Sequence, residues 1–382
     1  MEDARADSRL LILGAASVTG RSFARGLRLS KKYSNALLIG GDIFSNVYTI
    51  AEGLFDKLIR MPRCDDSSHE SILSDILERN EIDACVVLAE LEVIALANSD
   101  IEVPAMLPYA GFCNMAASKA QVFSALTPLG LAPEHENQIT LENHETRLAG
   151  RNLRFPLWVR SGAAGTTSGM GSFLAKTPFD LKNWLTSTDV KEAQAAAHLP
   201  GRNWACLMTY FDGNLTAFGI YERLTYLMAS AAPSGVTGNI AVGQIQWNRE
   251  VLKTSLRAVK AIEDLAGTPT QGFLTVDLKE TSDGTPMVTE INLKPVACVG
   301  AFCHPKLNLA EHFVDLILGA RPTQTVEDCI ELYLQCYSEP TYILRDVDGD
   351  WVLVDSISLP EVGKEVCPPS QPSWWRSPVT ES

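Results

Sequence analysis

The segment from residue 272 to residue 292 constrains the fold more than any other part of the chain. Its sequence, GFLTVDLKETSDGTPMVTEIN, places two runs of apolar and β-branched residues on either side of Asp283-Gly284. Strand-like runs around an Asp-Gly turn are typical of a β-hairpin. The sequence therefore predicts two paired strands here, both buried well enough to belong to the core of a domain.

Two carboxylates face each other in this predicted hairpin. If the turn is centred between Asp283 and Gly284, Asp277 lies opposite Glu290, and their Cβ atoms are about 4.5–5.5 Å apart. Asn292 shares a face with Glu290, because alternate residues of a strand point the same way. Carboxylate and amide oxygens are typical ligands of Mg²⁺. The cluster indicates a magnesium site, and a solvated acidic strand face is the alternative explanation.

A segment rich in glycine and hydroxyl residues follows the apolar run FPLWVR, which ends at Arg160. Its glycines permit backbone N–H groups to turn inward around an anion, and its hydroxyls add further donors. The residues concerned are Gly162, Gly165, Gly169, Thr166, Thr167 and Ser168. We expect this segment, with the fixed charge of Arg160, to suit the phosphates of a nucleotide. A plain surface hairpin has the same composition and is the alternative.

The first part of the chain alternates short apolar runs with helical patterns. The runs are RLLIL at 9–13, ALLIG at 36–40 and DACVVLA at 83–89. Strands that alternate with helices are typical of a parallel sheet whose faces are covered by the helices. We expect an α/β domain over about residues 8–115.

The turn after the first of these runs is similar to a dinucleotide-binding fingerprint. It reads Gly14-Ala-Ala-Ser-Val-Thr-Gly20, and Ala16 stands where the fingerprint has its central glycine. Asp42 is the one acidic candidate near the end of the second run, and no Y-x-x-x-K pattern occurs. Tight packing of strand against helix explains this turn better than NAD binding does. An NAD(P)-linked oxidoreductase is kept as an alternative function.

The middle of the chain mixes hairpins with helices. A second hairpin is predicted around Asp212-Gly213, an amphipathic helix over 248–267 with Gly267 at its end, and a final helix over 308–319. Hairpins interspersed with single helices are typical of an α+β domain.

Composition and charge exclude several classes of protein. The 46 acidic and 32 basic residues give a formal charge of −14, which argues against nucleic-acid binding. The nine cysteines include no C-x-x-C pair, which predicts free thiols in a reducing compartment. The most apolar stretch, ACVVLAELEVIALA, is too short for a membrane span and contains Glu90 and Glu92. We expect a cytoplasmic protein with neither nucleic-acid nor membrane partners.

The order of these pieces over roughly residues 8–320 resembles the ATP-grasp superfamily, in its carbamoyl-phosphate-synthase-like branch of carboxylate–amine ligases. The pieces are Ser118-Lys119 at a helix start, LGLAP, FPLWVR with its glycine segment, HLPGRNW, and GFLTVDL followed by MVTEINLKP. The most specific element is Glu290-Ile-Asn292 after Asp277. The resemblance implies a Rossmann-like pre-ATP-grasp α/β domain over 1–115. An ATP-grasp domain of two α+β subdomains would follow over 116–325, with a lid subdomain at about 150–205, and a β segment and tail over 326–382.

The resemblance also implies roles for individual residues. Asp277, Glu290 and Asn292 would hold Mg²⁺, or Mn²⁺ in its place. Lys119 and Arg160 would contact the ATP phosphates, with the 162–169 segment closing over them. The hinge that holds the adenine through its backbone would be Ala197, His198 and Leu199, and Lys294 would lie beside an acyl phosphate. Arg160, Asn292 and Lys294 are therefore the expected catalytic residues.

The implied activity is that of an ATP-dependent, ADP-forming ligase that joins a carboxylate to an amine through an acyl phosphate. An amino acid is the expected carboxylate, both substrates are small molecules, and a homodimer is one option for assembly. Some positions depart from the family pattern: Asn203 replaces a glutamate that contacts the ribose, Leu293-Lys294 replaces Pro-Arg, and PVACVGAFCHPK replaces a glycine-rich segment. A catalytically reduced nucleotide-binding or partner protein of the same fold is therefore the alternative.

Overall fold

The computed structural model describes residues 7–44, 47–151, 153–161, 171–232, 234–339, 341–345 and 361–367. They divide into two compact units. The first contains the described residues of Met1–Leu107, Val296–Pro322 and Asp348–Ser382, and the second those of Pro108–Pro295 and Thr323–Val347. This division differs from the sequence-based domains in two ways. Residues 296–322 return to the first unit, and the described residues of 326–347, expected in a C-terminal β segment, belong to the second and include a helix.

The helices and strands are as follows, in chain order. Up to residue 107 they are β1 (Arg9–Leu13), α1 (Val18–Arg28), β2 (Leu37–Asp42), α2 (Val47–Ala51), β3 (Lys57–Arg60), α3 (His69–Arg79), β4 (Ala84–Val87) and α4 (Glu90–Ala97). Over 108–295 they are α5 (Ala110–Ala116), α6 (Lys119–Leu126), β5 (His135–Ile139), α7 (His144–Ala149), β6 (Leu157–Ser161), β7 (Phe173–Ala175), α8 (Pro178–Ser187), β8 (Ala193–Ala197), β9 (Asn203–Phe211), β10 (Asn214–Tyr226), β11 (Ile240–Ile245), α9 (Arg249–Ala266), β12 (Gly272–Glu280) and β13 (Pro286–Asn292). The remaining elements are β14 (Cys303–His304), β15 (Leu307–Asn308), α10 (Leu309–Ile317), α11 (Val326–Cys336), β16 (Thr341–Leu344) and β17 (Glu365–Val366).

The first unit is built on a five-stranded sheet of order β17-β3-β2-β1-β4. Strands β1 to β4 are parallel, and only β17 runs antiparallel to its neighbour. The β1 side chains from Leu10 to Leu13 are completely buried, as in parallel sheets covered on both faces. The predicted α/β sheet is confirmed, and β3 and β17 add strands that the sequence analysis did not identify.

The turn between β1 and α1 is a packing feature. A Cβ atom on Gly20 would overlap the carbonyl oxygen of Gly14, so the helix lies directly against the turn. The buried carboxylate of Asp42 accepts the backbone N–H of Ala16 at 2.8 Å and that of Phe44 at 3.0 Å. Since Asp42 uses both oxygens within the fold, the geometry supports packing rather than recognition of a dinucleotide ribose.

Helix α10 belongs to the first unit because it packs against α1. The Asn308 side chain, which caps α10, also donates to the carbonyl of Gly26 at 2.7 Å. A Cβ atom on Gly26 would lie only 3.0 Å from that of Ala310. Contacts between residues so far apart in sequence explain why the division of the chain was not predicted.

The second unit contains two antiparallel sheets and is α+β, as predicted. One has four strands in the order β5-β8-β6-β7, and the other has six in the order β13-β12-β9-β10-β11-β16. Three strands and helix α8 of the smaller sheet lie within the expected lid region of 150–205. The core under that sheet includes Ile139, Leu157, Val159, Leu181 and Trp184.

Helices cover one face of the six-stranded sheet. Helix α9 begins after Asn248, whose side chain accepts the N–H groups of two following residues. It ends at Gly267, which has a φ of 66°, a left-handed conformation that favours glycine. On α11, Tyr333 stacks on Phe218 of β10 with ring centroids 4.8 Å apart. The opposite face of this sheet carries the polar residues of the candidate site. In the part of the chain that the structure describes, no helix combines the length and apolar character that crossing a membrane requires.

Candidate functional site

The candidate site lies on the polar face of the six-stranded sheet, across four neighbouring strands. Strand pairing aligns Tyr221 of β10 with Ala205 of β9, Ala205 with Asp277 of β12, and Asp277 with Glu290 of β13. The small side chain of Ala205 leaves space beside Asp277. The predicted pairing of Asp277 with Glu290 is confirmed.

The register of the hairpin contains a β-bulge that the prediction lacked. Close to the turn, Glu280 pairs with Pro286, so that the turn is centred on Asp283 rather than between Asp283 and Gly284. The register then shifts by one residue between Asp277 and Leu278, which leaves Thr289 as the extra residue of β13. The two departures cancel, and Asp277 therefore still lies opposite Glu290.

The bulge at Thr289 also fixes groups around the site. Its hydroxyl donates to the carbonyl of Asp277 at 3.1 Å, and its own carbonyl accepts Nη2 of Arg160 at 3.2 Å. Bulges commonly re-aim side chains next to functional sites. Here the bulge brings the predicted phosphate-binding arginine next to the predicted metal ligands.

Three oxygen-bearing side chains are close together at this point. Asn292 pairs with Thr275, and its Nδ2 donates to Oδ2 of Asp277 at 3.4 Å. Because the amide donates through its nitrogen, its oxygen remains an acceptor. Among the described residues no group of three His, Cys, Asp or Glu side chains could hold a metal ion. Two carboxylates and one amide fit a hard cation such as Mg²⁺, which completes its coordination with water and phosphate oxygens.

Each of the two carboxylates has a cationic partner. Asp277 Oδ1 lies 2.6 Å from Nη2 of Arg223, and Glu290 Oε1 lies 2.9 Å from Nζ of Lys119. These four side chains are between 10% and 18% exposed. Burial raises the pKa of Asp277, the ion pair with Arg223 opposes this, and the nearby charge of Glu290 adds to it. Burial alone would lower the pKa of Arg223, but Asp277 raises it well above its usual value.

The sequence analysis missed Arg223. It lies on β10, and β9 separates that strand from β12 in the sheet. The Tyr221 hydroxyl accepts Nε of Arg223 at 3.4 Å, and the side-chain amide of Asn203 donates to the hydroxyl of Tyr226. Asn203, which departs from the family pattern, is thus hydrogen-bonded to a tyrosine. No motif in the sequence indicated the contact of Arg223 with Asp277, because it joins β10 and β12, which are not consecutive strands of the chain.

Arg160 is held at several points. Its Nε donates to Gln194 at 2.8 Å, and its guanidinium lies 5.1 Å from the ring centroid of Phe123 on α6. Lys119 is the first residue of the same helix. Burial lowers the pKa of Arg160, and the charge of Glu290 opposes this. The structure thus brings Arg160 and Lys119 together with Glu290, as the predicted phosphate contacts require.

The predicted hinge follows strand β8. Ala197 ends this strand, and its N–H donates to the carbonyl of Glu134 at 2.8 Å. Leu199 is buried, and burial together with the nearby charge of Lys279 lowers the pKa of His198. Lys279 lies on the same strand and face as Asp277, two residues further on. The hinge is therefore close to the polar face, and its contact with adenine stays a prediction.

Two predicted parts of the site remain, Lys294 and the segment expected to close over the phosphates. Lys294 lies two residues beyond Asn292, and its carbonyl accepts the hydroxyl of Thr275 at 3.0 Å. No ion pair of the Lys294 ammonium is found within the described ranges. The residues expected to close over the phosphates, Gly165, Thr166, Thr167 and Ser168, lie outside the described residues.

The arrangement as a whole suits a polyanion. Lys119, Arg160 and Arg223 surround the two carboxylates, so that positive groups outnumber negative ones even before a metal ion is added. Because the side chains of the two ion pairs are mostly buried, the attraction between such cations and phosphate oxygens is stronger than in open solvent.

Comparison with known proteins gives matches of structure only. No protein-family model matches the chain, and no curated protein sequence matches it. An L-amino acid ligase from Bacillus licheniformis is similar in structure at 15% identity, with a TM-score of 0.62, over 84% of this chain and 77% of that one. An N5-carboxyaminoimidazole synthetase from Staphylococcus aureus, complexed with ADP, has a TM-score of 0.60 at 14% identity, over 82% and 78%.

A third similar structure contains magnesium. It is the biotin carboxylase domain of a 2-oxoglutarate carboxylase from Hydrogenobacter thermophilus, in complex with MgADP and bicarbonate. Its TM-score is 0.62 at 12% identity, over 84% of this chain and 72% of that one. All three similar proteins are ATP-grasp enzymes. With its α/β N-terminal part and its two antiparallel sheets, this chain has the ATP-grasp fold.

Proposed function

We propose that this protein is an ATP- and Mg²⁺-dependent, ADP-forming ligase that joins the carboxylate of an amino acid to an amine. The observation that carries the proposal is the convergence of Asp277, Glu290 and Asn292 on one face, with Lys119 and Arg160 beside them. Similar structures that are complexed with ADP and MgADP support the same choice of ligands.

Some residues of the site would bind the metal ion, and others would bind the phosphates. Glu290, Asn292 and Asp277 would hold Mg²⁺, or Mn²⁺ in its place. When bound, this ion supplies charge neutralisation between phosphate oxygens. Lys119 and Arg160 would bind those oxygens directly. Because phosphoryl transfer depends mainly on positioning and charge, these groups suffice without a nucleophilic side chain.

The proposed reaction has two steps. A carboxylate oxygen of the first substrate attacks the γ-phosphorus of ATP, the bond to the bridging oxygen breaks, and ADP leaves. The amine nitrogen of the second substrate attacks the acyl carbon, the bond to the phosphate oxygen breaks, and inorganic phosphate leaves with a proton lost to solvent. The ammonium of Lys294, which makes no ion pair among the described residues, would stabilise the acyl phosphate.

The choice of an amino acid as the carboxylate has two supports. The sequence resembles carboxylate–amine ligases, and one similar structure is an L-amino acid ligase. The test is a phosphate-release screen with ATP and Mg²⁺, in which amino acids are supplied singly and in pairs. We expect release that requires both a carboxylate and an amine. Release that no added pair stimulates would contradict the ligase proposal.

A catalytically reduced nucleotide-binding protein is the second candidate. Two contacts favour it: Arg223 occupies Asp277, a proposed metal ligand, and Tyr226 occupies Asn203, which stands where the family has a ribose-contacting glutamate. This candidate predicts that ATP binds with measurable affinity while no substrate pair releases phosphate. Titration of the protein with ATP, together with the phosphate screen, separates the two functions.

A further inference from the structure

The two ion pairs of the site differ in the kind of cation that they contain, a guanidinium in one and an ammonium in the other. The Arg223 guanidinium contacts Asp277 at 2.6 Å and also the hydroxyl of Tyr221, while Asn292 donates to the other oxygen of Asp277. These contacts hold the planar guanidinium in one orientation, and its pKa is raised by Asp277. Arg223 is therefore a fixed counter-ion.

Lys119 is held differently. It is the first residue of α6, on an element outside the sheet, and its ammonium reaches Glu290 Oε1 at 2.9 Å from the end of a flexible stem. A compact ammonium on a flexible stem can turn from one partner to another, whereas a guanidinium pairs through a fixed planar fork. Phe123, one turn along the same helix, holds Arg160 at 5.1 Å, so a second cation stays in place if Lys119 moves.

We propose that Lys119 is an exchangeable counter-ion of Glu290, which makes binding of the divalent cation dependent on binding of the nucleotide. Without nucleotide, Lys119 neutralises the carboxylate that the metal needs. A triphosphate offers the ammonium a new partner, and Glu290 then becomes available to the metal. This inference rests on the proposed use of ATP and Mg²⁺ at this site.

The electrostatic reason is direct. A positive charge within ion-pair distance of a carboxylate cancels most of its attraction for a second cation and repels that cation. Asp277 does not compensate for Glu290, since Asp277 shares its charge with Arg223 at 2.6 Å whether or not a nucleotide is present. The affinity for a divalent cation must therefore rise when a polyanion removes Lys119, and the affinity for the polyanion must rise by the same factor when the cation is present.

The test measures Mn²⁺ binding by electron paramagnetic resonance, without any turnover. In the absence of nucleotide, Lys119→Met should bind Mn²⁺ at least tenfold more tightly than wild type, which corresponds to about 1.4 kcal/mol. Addition of the non-hydrolysable β,γ-methylene analogue of ATP should tighten Mn²⁺ binding by wild type at least tenfold, and by Lys119→Met clearly less. Equal Mn²⁺ affinities of the two proteins without nucleotide would overturn the proposal.

Two further variants test whether the gain in Mn²⁺ affinity of Lys119→Met comes from Glu290. Lys260→Met removes the same charge from an exposed lysine of α9, which pairs with Asp264 at 2.9 Å, and should leave Mn²⁺ affinity as in wild type. Lys119→Met combined with Glu290→Gln should lose the gained affinity, because the liberated carboxylate is gone. A gain that persists in this double variant would place the Mn²⁺ elsewhere and contradict the inference.

The Mn²⁺ measurements test the role of Lys119 whether or not the protein proves to be a ligase. If wild type does not bind the ATP analogue, the proposed function fails, but the comparison of Mn²⁺ affinities without nucleotide still decides the role of Lys119. Circular dichroism checks that Lys119→Met is folded, and Lys119→Gln, which also removes the charge, provides the same measurement in a second background.

Discussion

The two units use carboxylates in opposite ways. In the first unit, Asp42 is buried and both of its oxygens accept backbone N–H groups of its own sheet and turn. In the second unit, Asp277 and Glu290 face side-chain cations across a polar sheet face. Backbone donors cannot leave without local unfolding, whereas a side-chain cation can exchange with a ligand. The difference separates a carboxylate that stabilises a fold from one that can take part in binding.

The strongest test of this comparison is Glu290→Gln. The amide keeps the shape of the side chain but removes the charge that the metal requires, so we expect a loss of ATP turnover of at least about 100-fold. The protein should remain folded, with a melting temperature lowered only by the loss of the ion pair with Lys119. Phosphate release and a thermal melt measure the two quantities.

A matched control lies in the same hairpin. Asp283 is an exposed turn residue whose side chain accepts the hydroxyls of Thr281 and Thr285. Asp283→Asn makes the same chemical change and should retain wild-type turnover. If Glu290→Gln keeps full activity, the assignment of Glu290 as a metal ligand is wrong.

Arg160→Ala is expected to have the next largest effect. Removal of the guanidinium eliminates a cation that would contact phosphate oxygens, so nucleotide affinity or the rate of phosphoryl transfer should fall about tenfold or more. Titration with ATP and single-turnover kinetics distinguish these two losses. Arg154→Ala, at an exposed arginine shortly before β6, is the control and should change neither. Unchanged kinetics in Arg160→Ala would reject its role at the phosphates.

The part of the site that was predicted from residue spacing alone is the part that one hairpin supplies. Asp277, Glu290 and Asn292 are linked by a single turn, so spacing alone aligns them, although the bulge at Thr289 was needed to restore the register. Arg223 was missed because it reaches Asp277 only through the order of strands β10, β9 and β12. That order is set by pairing between distant segments, which no local pattern encodes.

For the fold too, only the features that follow from local sequence patterns were predicted. The parallel sheet and the α+β character were predicted, since both follow from local alternation of strands and helices. The return of 296–322 to the first unit was not, because it depends on contacts such as that of Asn308 with Gly26. Contacts over such separations are determined by packing of complementary surfaces and not by periodicity.

Asp42→Ala tests the structural side of the comparison. The substitution leaves the N–H groups of Ala16 and Phe44 without their acceptor, and each buried unsatisfied group costs about 1–3 kcal/mol. We expect a clear fall in the midpoint of urea unfolding while the folded protein retains its affinity for nucleotide. Asp65→Ala, at an exposed residue paired only with Arg63 among the described residues, should leave the midpoint unchanged. A loss of nucleotide affinity without loss of stability in Asp42→Ala would reverse the assignment.

The smallest expected effect concerns His312 on α10. Burial lowers the pKa of His312 to about 4, while Asp315 and Glu311 raise it and Lys32 lowers it. The unfolded chain takes up a proton near the ordinary pKa of about 6.5. The folded chain takes it up only near 4, so the stability present above pH 6.5 is lost as the pH falls toward 4.

Between pH 7 and pH 5 this loss should be about 1–2 kcal/mol, reduced from the fully buried limit because His312 is partly exposed. His312→Gln cannot take up the proton, and its urea midpoint should therefore fall less than that of wild type over the same interval. If both proteins lose the same stability, the acid sensitivity comes from other groups. The pH dependence of the first unit would then not arise from a neutral, largely buried His312.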